Sequence, residues 1–226
     1  MFEPDMIVQY LLMIPVMLIS LTVHEYSHAR VAYAMGDATA RNMGRVSLNP
    51  LRHLDPIGAI CMIFFRFGWA KPVPINTRNF DKPRQGMALV ALSGPISNLL
   101  LSFFGAFMYL SLVALGNRLL AMDVIVYNTL PFNLFKMLIT FFALFHYANI
   151  TLAVFNLIPI PPLDGSRILT LILPPKLYWD LMKYEQYFGL ILMILVFLGS
   201  FSGVIGTVTG WISNGMFNIL EFLPFL

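Results

Sequence analysis

The chain has 226 residues, of which 58% are hydrophobic and only 11% charged, against roughly 25% charged in an average soluble domain. A mean hydropathy of +0.77 excludes an ordinary soluble domain and indicates a polytopic membrane protein. The net charge of +3 is small and lies beside apolar runs, which argues for membrane topology and against a nucleic-acid partner.

The first apolar run, MIVQYLLMIPVMLISLTV from Met6 to Val23, is interrupted only by Gln9, Ser20 and Thr22, and the helix it predicts covers 6–34. It has no basic n-region before it and no small-residue cleavage site after it, so it reads as a retained membrane helix rather than a leader. The loop 36–86 follows, punctuated by Gly44, Pro50, Pro56, Gly58, Gly68, Pro72 and Pro74. That spacing forbids a long helix and predicts short extended pieces at 45–48 (RVSL) and 70–76 (AKPVPIN), the second limited by its prolines to a sheet edge. PIGAICMIFFRF, 56–67, is too short to cross a bilayer and reads as re-entrant or interfacial. Further spans are expected at 87–116, 132–158 and 186–199, with an apolar stretch from 203 to the end. Glycines at 199, 203, 206 and 210 suit either close helix contact or a break between two short helices. The fold expected is thus an all-α membrane protein with a short β or re-entrant segment around 36–80. No linker divides it, so 1–226 forms one domain. The single cysteine, Cys61, excludes an internal disulfide and a cysteine-built zinc site.

Charge sets the orientation. Nine of the fourteen Lys and Arg residues fall between Arg30 and Arg84, and the N-terminal tail carries only Glu3 and Asp5. By the positive-inside rule the N-terminus is outside the cell membrane, 30–86 is cytoplasmic, 117–131 outside and 159–185 cytoplasmic again. The end of the first span and the end of 132–158 therefore reach the same, cytoplasmic, face.

The first span closes on LTVHEYSHARVAYAMGD, which contains H-E-x-x-H as His24, Glu25 and His28. On a helix the two imidazoles are i and i+4 and project from one face, which suits two bonds to a single zinc ion, and Glu25 is placed as general base. An ionisable cluster at a membrane helix end is costly and marks function. A hydrolytic zinc site needs a third protein ligand and an open position. The candidates are His53, His146 and the seven aspartates. Helix parity favours Asp164, in NLIPIPPLDGSRIL, where Pro159, Pro161, Pro162 and Gly165 end the helix; Asp-Gly after prolines is also an ordinary turn. His146 lies deeper in its span, and His53, in the cationic LRHLDP, is expected at the surface. Asn98, Asn149 and Asn156 either bond between helices or line a wet pocket.

Taken together, HEYSH, GRVSLNPLRHLDPIG, GWAKPVPIN, ALSGPISNLL and FNLIPIPPLDG resemble the site-2 protease family of intramembrane zinc metalloproteases over most of the chain. The resemblance implies His24, His28 and Asp164 as ligands of one zinc, Glu25 as catalytic base, and a three-helix core whose middle helix follows the strand-containing loop. It also implies a compact prokaryotic form without a PDZ or appended regulatory domain. Ser93 departs mildly from the alanine frequent there, and no extra helix precedes HEYSH.

The expected activity is hydrolysis of peptide bonds in or near transmembrane segments of membrane proteins, with the lipid bilayer and a helical membrane substrate as partners. Asn98, Asn149 and Asn156 are candidate pocket or oxyanion donors, and Val73 and Ile75 candidate positions for strand addition by an unwound substrate. The alternative is a non-enzymatic zinc-binding or zinc-transporting membrane protein. A carrier needs ionisable groups along a path, whereas here they gather at one face.

Overall fold

The computed structural model describes residues 4–65 and 68–222. Helix α1, Pro4–Ala34, takes up the first apolar run and carries it through HEYSH. A one-turn helix α2, Thr39–Asn42, and a ten-residue α3, Pro56–Phe65, follow. Helix α4, Pro83–Ala121, has 39 residues and so is about 58 Å long, nearly twice a hydrocarbon core of about 30 Å. Helix α5 is Leu130–Asn156, and short α6, Asp164–Ile168, and α7, Pro175–Met182, lead to α8, Glu185–Phe197, and α9, Ser202–Glu221.

Among the described residues, three helices are long and apolar enough to cross a membrane: Met6–Ala34 of α1, α4 and α5. The pair α8 and α9 qualifies only when taken together, and it is bent by 81°. The protein is an all-α polytopic membrane protein, with three such helices among the described residues, or four spans if the bent pair counts as one. At the bend Gly199 adopts φ +70°, a left-handed conformation open chiefly to glycine. Gly203, Gly206 and Gly210 each have nothing within 4 Å of where a Cβ would stand. The glycine run therefore makes a break rather than a close helix contact.

Helix α4 packs on both α1 and α5, and these pack on each other. In lipid the hydrophobic effect does not drive helices together, so close packing and interhelical hydrogen bonds must. Val16, Phe145 and Ala148 form the buried centre, with Met13, Met17, Leu101, Phe141 and Leu144 around them. His146 Nδ1 lies 2.8 Å from Ser102 Oγ, and its Nε2 lies 2.8 Å from Ser213 Oγ, which ties α9 to the α4–α5 pair.

The loop before α4 departs from expectation. Among the described residues it forms no strand, only an isolated antiparallel bridge between Leu54 and Ala70. The pieces at 45–48 and 70–76 build no ladder. Pro72 and Pro74 have no N–H to donate, and the donors that remain go elsewhere. Lys71 N–H goes to the His53 carbonyl (2.7 Å), Val73 N–H to Glu25 Oε2 (3.1 Å) and Asn76 N–H to Asp37 Oδ2 (2.7 Å). The proposed re-entrant 56–67 is helical over Pro56–Phe65, and 66–67 lie outside the described residues. At ten residues, about 15 Å, α3 is too short to cross.

Candidate metal centre

Helix α1 places His24 and His28 one turn apart, with ring centroids separated by 4.6 Å and planes at 89°. Asp164 arrives from the far side, at the start of α6, after the proline-rich turn that ends α5. Its position is set from two directions. A Cβ on Gly165 would stand 2.5 Å from the Ile158 carbonyl oxygen, so only glycine lets α6 settle against the end of α5. On the other side, Arg84 Nε donates to the Thr170 carbonyl (2.5 Å) and a terminal guanidinium nitrogen to Leu173 (2.7 Å), fastening the turn after α6 to the start of α4.

The three ligand-type atoms form a triangle. His24 Nε2 and His28 Nε2 are 3.0 Å apart, and Asp164 Oδ2 lies 3.1 Å from the first and 3.2 Å from the second. Ligand atoms on a tetrahedral zinc with bonds of about 2.0 Å are separated by roughly 3.3 Å, so the triangle is of the right size. The donor chemistry agrees. His28 Nδ1 lies 2.7 Å from the Val90 carbonyl, which can only accept, so the proton of a neutral ring sits there and Nε2 presents a lone pair. His24 Nδ1 lies 2.5 Å from the Asn98 amide oxygen, with the same result. Two lone pairs and a carboxylate oxygen converging at about 3 Å repel unless a cation lies among them. Among the described residues, His24, His28 and Asp164 are the group so placed.

A metal-binding carboxylate has to be ionised, and Asp164 offers its Oδ2 to the same point as the two lone pairs.

Gly94 makes room for this cluster. A Cβ there would lie 2.5 Å from His28 Nε2 and 2.6 Å from His24 Cε1, so α4 can approach the imidazoles only with glycine at this point. In the sequence Gly94 reads merely as part of Ser93-Gly94-Pro95, and nothing local indicates which way it faces.

Other expected residues fall variously. Glu25 is half-buried beside the triangle, i+3 from His28, its Oε2 accepting the Val73 N–H. Asn98 and Asn149 are fully buried and bonded to each other, with Asn98 Nδ2 donating to Asn149 Oδ1 at 2.7 Å. Asn156 is half-buried and turns its amide back to the Leu152 carbonyl (3.0 Å). Val73 points its side chain into a small core with Ala29 and Ala40, and Ile75 packs against its edge. His53 is 2% exposed, not at the surface as expected, because the loop folds back and the ring bonds to the Ser47 carbonyl at 2.7 Å. His146 belongs to the α4–α5–α9 contact, not to the triangle.

Two residues not singled out in the sequence hold the loop against the centre. Asp37, fully buried just after α1, accepts from Thr39 N and Oγ1, Asn76 N and Asn79 Nδ2. Burial raises its carboxyl pKa, but these donors prevail and the net shift is downward. Buried Arg45 donates to the carbonyls of Lys71 and Pro72. An acid directly after a span, in a loop of net positive charge, was the available signal for Asp37.

Comparison with known proteins accords with this geometry. Residues 12–198 match the model of Peptidase family M50. The chain is 40% identical over 204 residues to "Putative zinc metalloprotease YwhC" of Bacillus subtilis (strain 168), covering 89% of this chain and 87% of that protein. It is 28% identical over 200 residues to "Putative zinc metalloprotease Rip2" of Mycobacterium tuberculosis (strain ATCC 25618 / H37Rv), covering 86% and 67%. The Rip2 protein of Mycolicibacterium smegmatis is 29% identical over 193 residues, covering 83% and 67%. No solved structure matches the chain. With a family match from Met13's neighbour at position 12 to Leu198, and a relative of this identity along nearly its whole length, the chain belongs to peptidase family M50, the site-2 protease family of zinc metalloproteases.

Proposed function

We propose that the protein is an intramembrane protease that hydrolyses peptide bonds in or near the transmembrane segments of membrane-protein substrates. The observation that carries this reading is the triangle of His24 Nε2, His28 Nε2 and Asp164 Oδ2 with Glu25 beside it. These three residues would hold one zinc, which when bound would supply Lewis acidity and bring the pKa of a bound water down towards about 7. Glu25 takes the proton of the attacking water and later returns it to the leaving amine. Asn156, at the end of α5, is the amide left to donate to the developing carbonyl oxyanion. A substrate segment must unwind to expose its carbonyls, and residues 70–76 are the extended backbone against which it lies. A chain pairing with Val73 competes with Glu25 for the same N–H and so releases the base when substrate is in place. With the charge distribution described above, the centre faces the cytoplasm and the N-terminus lies outside the cell membrane.

The test compares membrane-protein fragments in cells carrying wild type and Glu25→Gln. Fragments present with the first and missing with the second support the reading; identical patterns overturn it. Zinc transport is separated by assaying zinc uptake and chelator-sensitive cleavage in the same proteoliposomes: uptake without cleavage favours the carrier.

A further inference from the structure

Asn98 and Asn149 lie end to end between a metal-type ligand and the backbone of α5. Both are completely buried, so every polar atom they carry must find its partner inside the protein. Asn149 Nδ2 donates to the Phe145 carbonyl at 2.8 Å. Asn149 Oδ1 accepts from Asn98 Nδ2 at 2.7 Å, and that same nitrogen also faces the Ser20 carbonyl at 3.4 Å. Asn98 Oδ1 then meets His24 Nδ1 at 2.5 Å.

The order of these groups has only one consistent direction. A backbone carbonyl can accept but never donate. The Phe145 carbonyl therefore requires the NH2 end of Asn149, which turns the oxygen of Asn149 towards Asn98. That oxygen, with the Ser20 carbonyl, requires the NH2 end of Asn98, which turns the oxygen of Asn98 towards His24. Only a protonated Nδ1 satisfies that oxygen. The proton of a neutral His24 is thereby confined to Nδ1, and Nε2 is left as a lone pair directed at His28 Nε2 and Asp164 Oδ2. His28 reaches the same state in one step, through the Val90 carbonyl.

We infer that Asn98 and Asn149 are positioning residues, a two-amide relay that carries the polarity of the α5 backbone to His24 and fixes its tautomer and ring plane for metal binding. The inference rests on His24 being a ligand, as proposed above. It also removes both residues from the oxyanion role, because both are completely buried and out of a substrate's reach, whereas Asn156 is half-buried. Asn149 touches no ligand, yet it decides which end of Asn98 faces the ring.

The test is the zinc affinity of the detergent-solubilised full chain, read by competition with a chromophoric chelator, with helicity and monodispersity checked for each variant. Loss of an outer-shell partner typically weakens metal binding by about 10–100-fold, and that is expected of Asn98→Leu. Asn149→Leu is expected to weaken it also, by about 3–30-fold. Asn98→Asp keeps an acceptor for Nδ1 but sets its second oxygen against Asn149 Oδ1 and the Ser20 carbonyl, so it too is expected to bind zinc more weakly than wild type. The readout that a packing role would not move is the tautomer: the 15N shifts of the metal-free wild type are expected to show the His24 proton on Nδ1, and in Asn98→Leu that preference is lost. Wild-type affinity in Asn98→Leu, or an unchanged His24 tautomer in that variant, overturns the relay. Should Asn98→Leu fail to fold, Asn149→Leu decides alone, with unchanged affinity overturning the inference. His24→Ala keeps the two readings apart: if it binds zinc as wild type does, the ligand assignment itself is wrong.

Discussion

The backbone N–H of Val73 donates to Glu25 Oε2 across 3.1 Å, joining the loop before α4 to the residue placed as general base. Pro72 and Pro74 flank this donor and have none of their own. The loop thus offers one N–H at the point where a substrate backbone would pair. Val73→Pro removes it and is expected to lower cleavage of a membrane substrate by tenfold or more, on the order of one lost transition-state contact, with zinc content unchanged. Turnover at the wild-type rate with intact metal counts against strand pairing at 70–76.

Replacing Glu25 by glutamine preserves size and hydrogen bonding but cannot take up a proton. Cleavage is expected to fall by about 10²–10⁴-fold, while zinc per chain, measured by elemental analysis, stays at the wild-type level. His28→Ala should lose zinc as well as activity. A Glu25→Gln protein that cleaves normally contradicts the assignment of the base.

Gly94→Ala places a methyl carbon 2.5 Å from His28 Nε2 and 2.6 Å from His24 Cε1. Overpacking of this kind costs about 1–3 kcal/mol, and here the strain falls on the two imidazoles. Zinc affinity is expected to drop at least about tenfold with the helical content unchanged. A variant with wild-type affinity shows that α4 can move away from the centre without loss.

Asp37 supplies a pH dependence. Its folded-state pKa lies below the ordinary 3.8, so folding favours the ionised form. That contribution is complete above the unfolded value and is lost as pH falls through the folded one. Protection of the Asn76 amide from hydrogen exchange should be flat from pH 7 to about 5 and then decline. Asp37→Asn should lack that protection throughout, since leaving a buried donor unmatched costs about 1–3 kcal/mol. Equal protection in both proteins refutes the role of this carboxylate.

Much of the fold was legible because its signals are local. The apolar runs marked α1, α4 and α5, and H-E-x-x-H needs only one helical turn to bring His24 and His28 together. Asp164 could be ranked above other aspartates by helix parity, which is topology rather than geometry. The loop was less legible. Its prolines forbade a helix and were read as leaving an edge strand, but what a donor-poor segment binds depends on residues distant in sequence. Its donors go to His53, Glu25 and Asp37, and its Lys71 and Pro72 carbonyls to Arg45. His53 shows the same limit, since a cationic neighbourhood indicates exposure whereas the fold buries it.

The sequence by itself determined a membrane protein, the H-E-x-x-H half of the candidate metal centre and the carboxylate that could complete it, because composition and one-turn spacing act over a few residues. Tertiary structure decided the rest. It set Gly94 against the imidazoles, Asn98 and Asn149 behind His24, and the Val73 N–H on Glu25. The reason is physical: which face a glycine presents, which end of an amide faces a ring, and which N–H meets a carboxylate are fixed only when helices far apart in the chain are packed together.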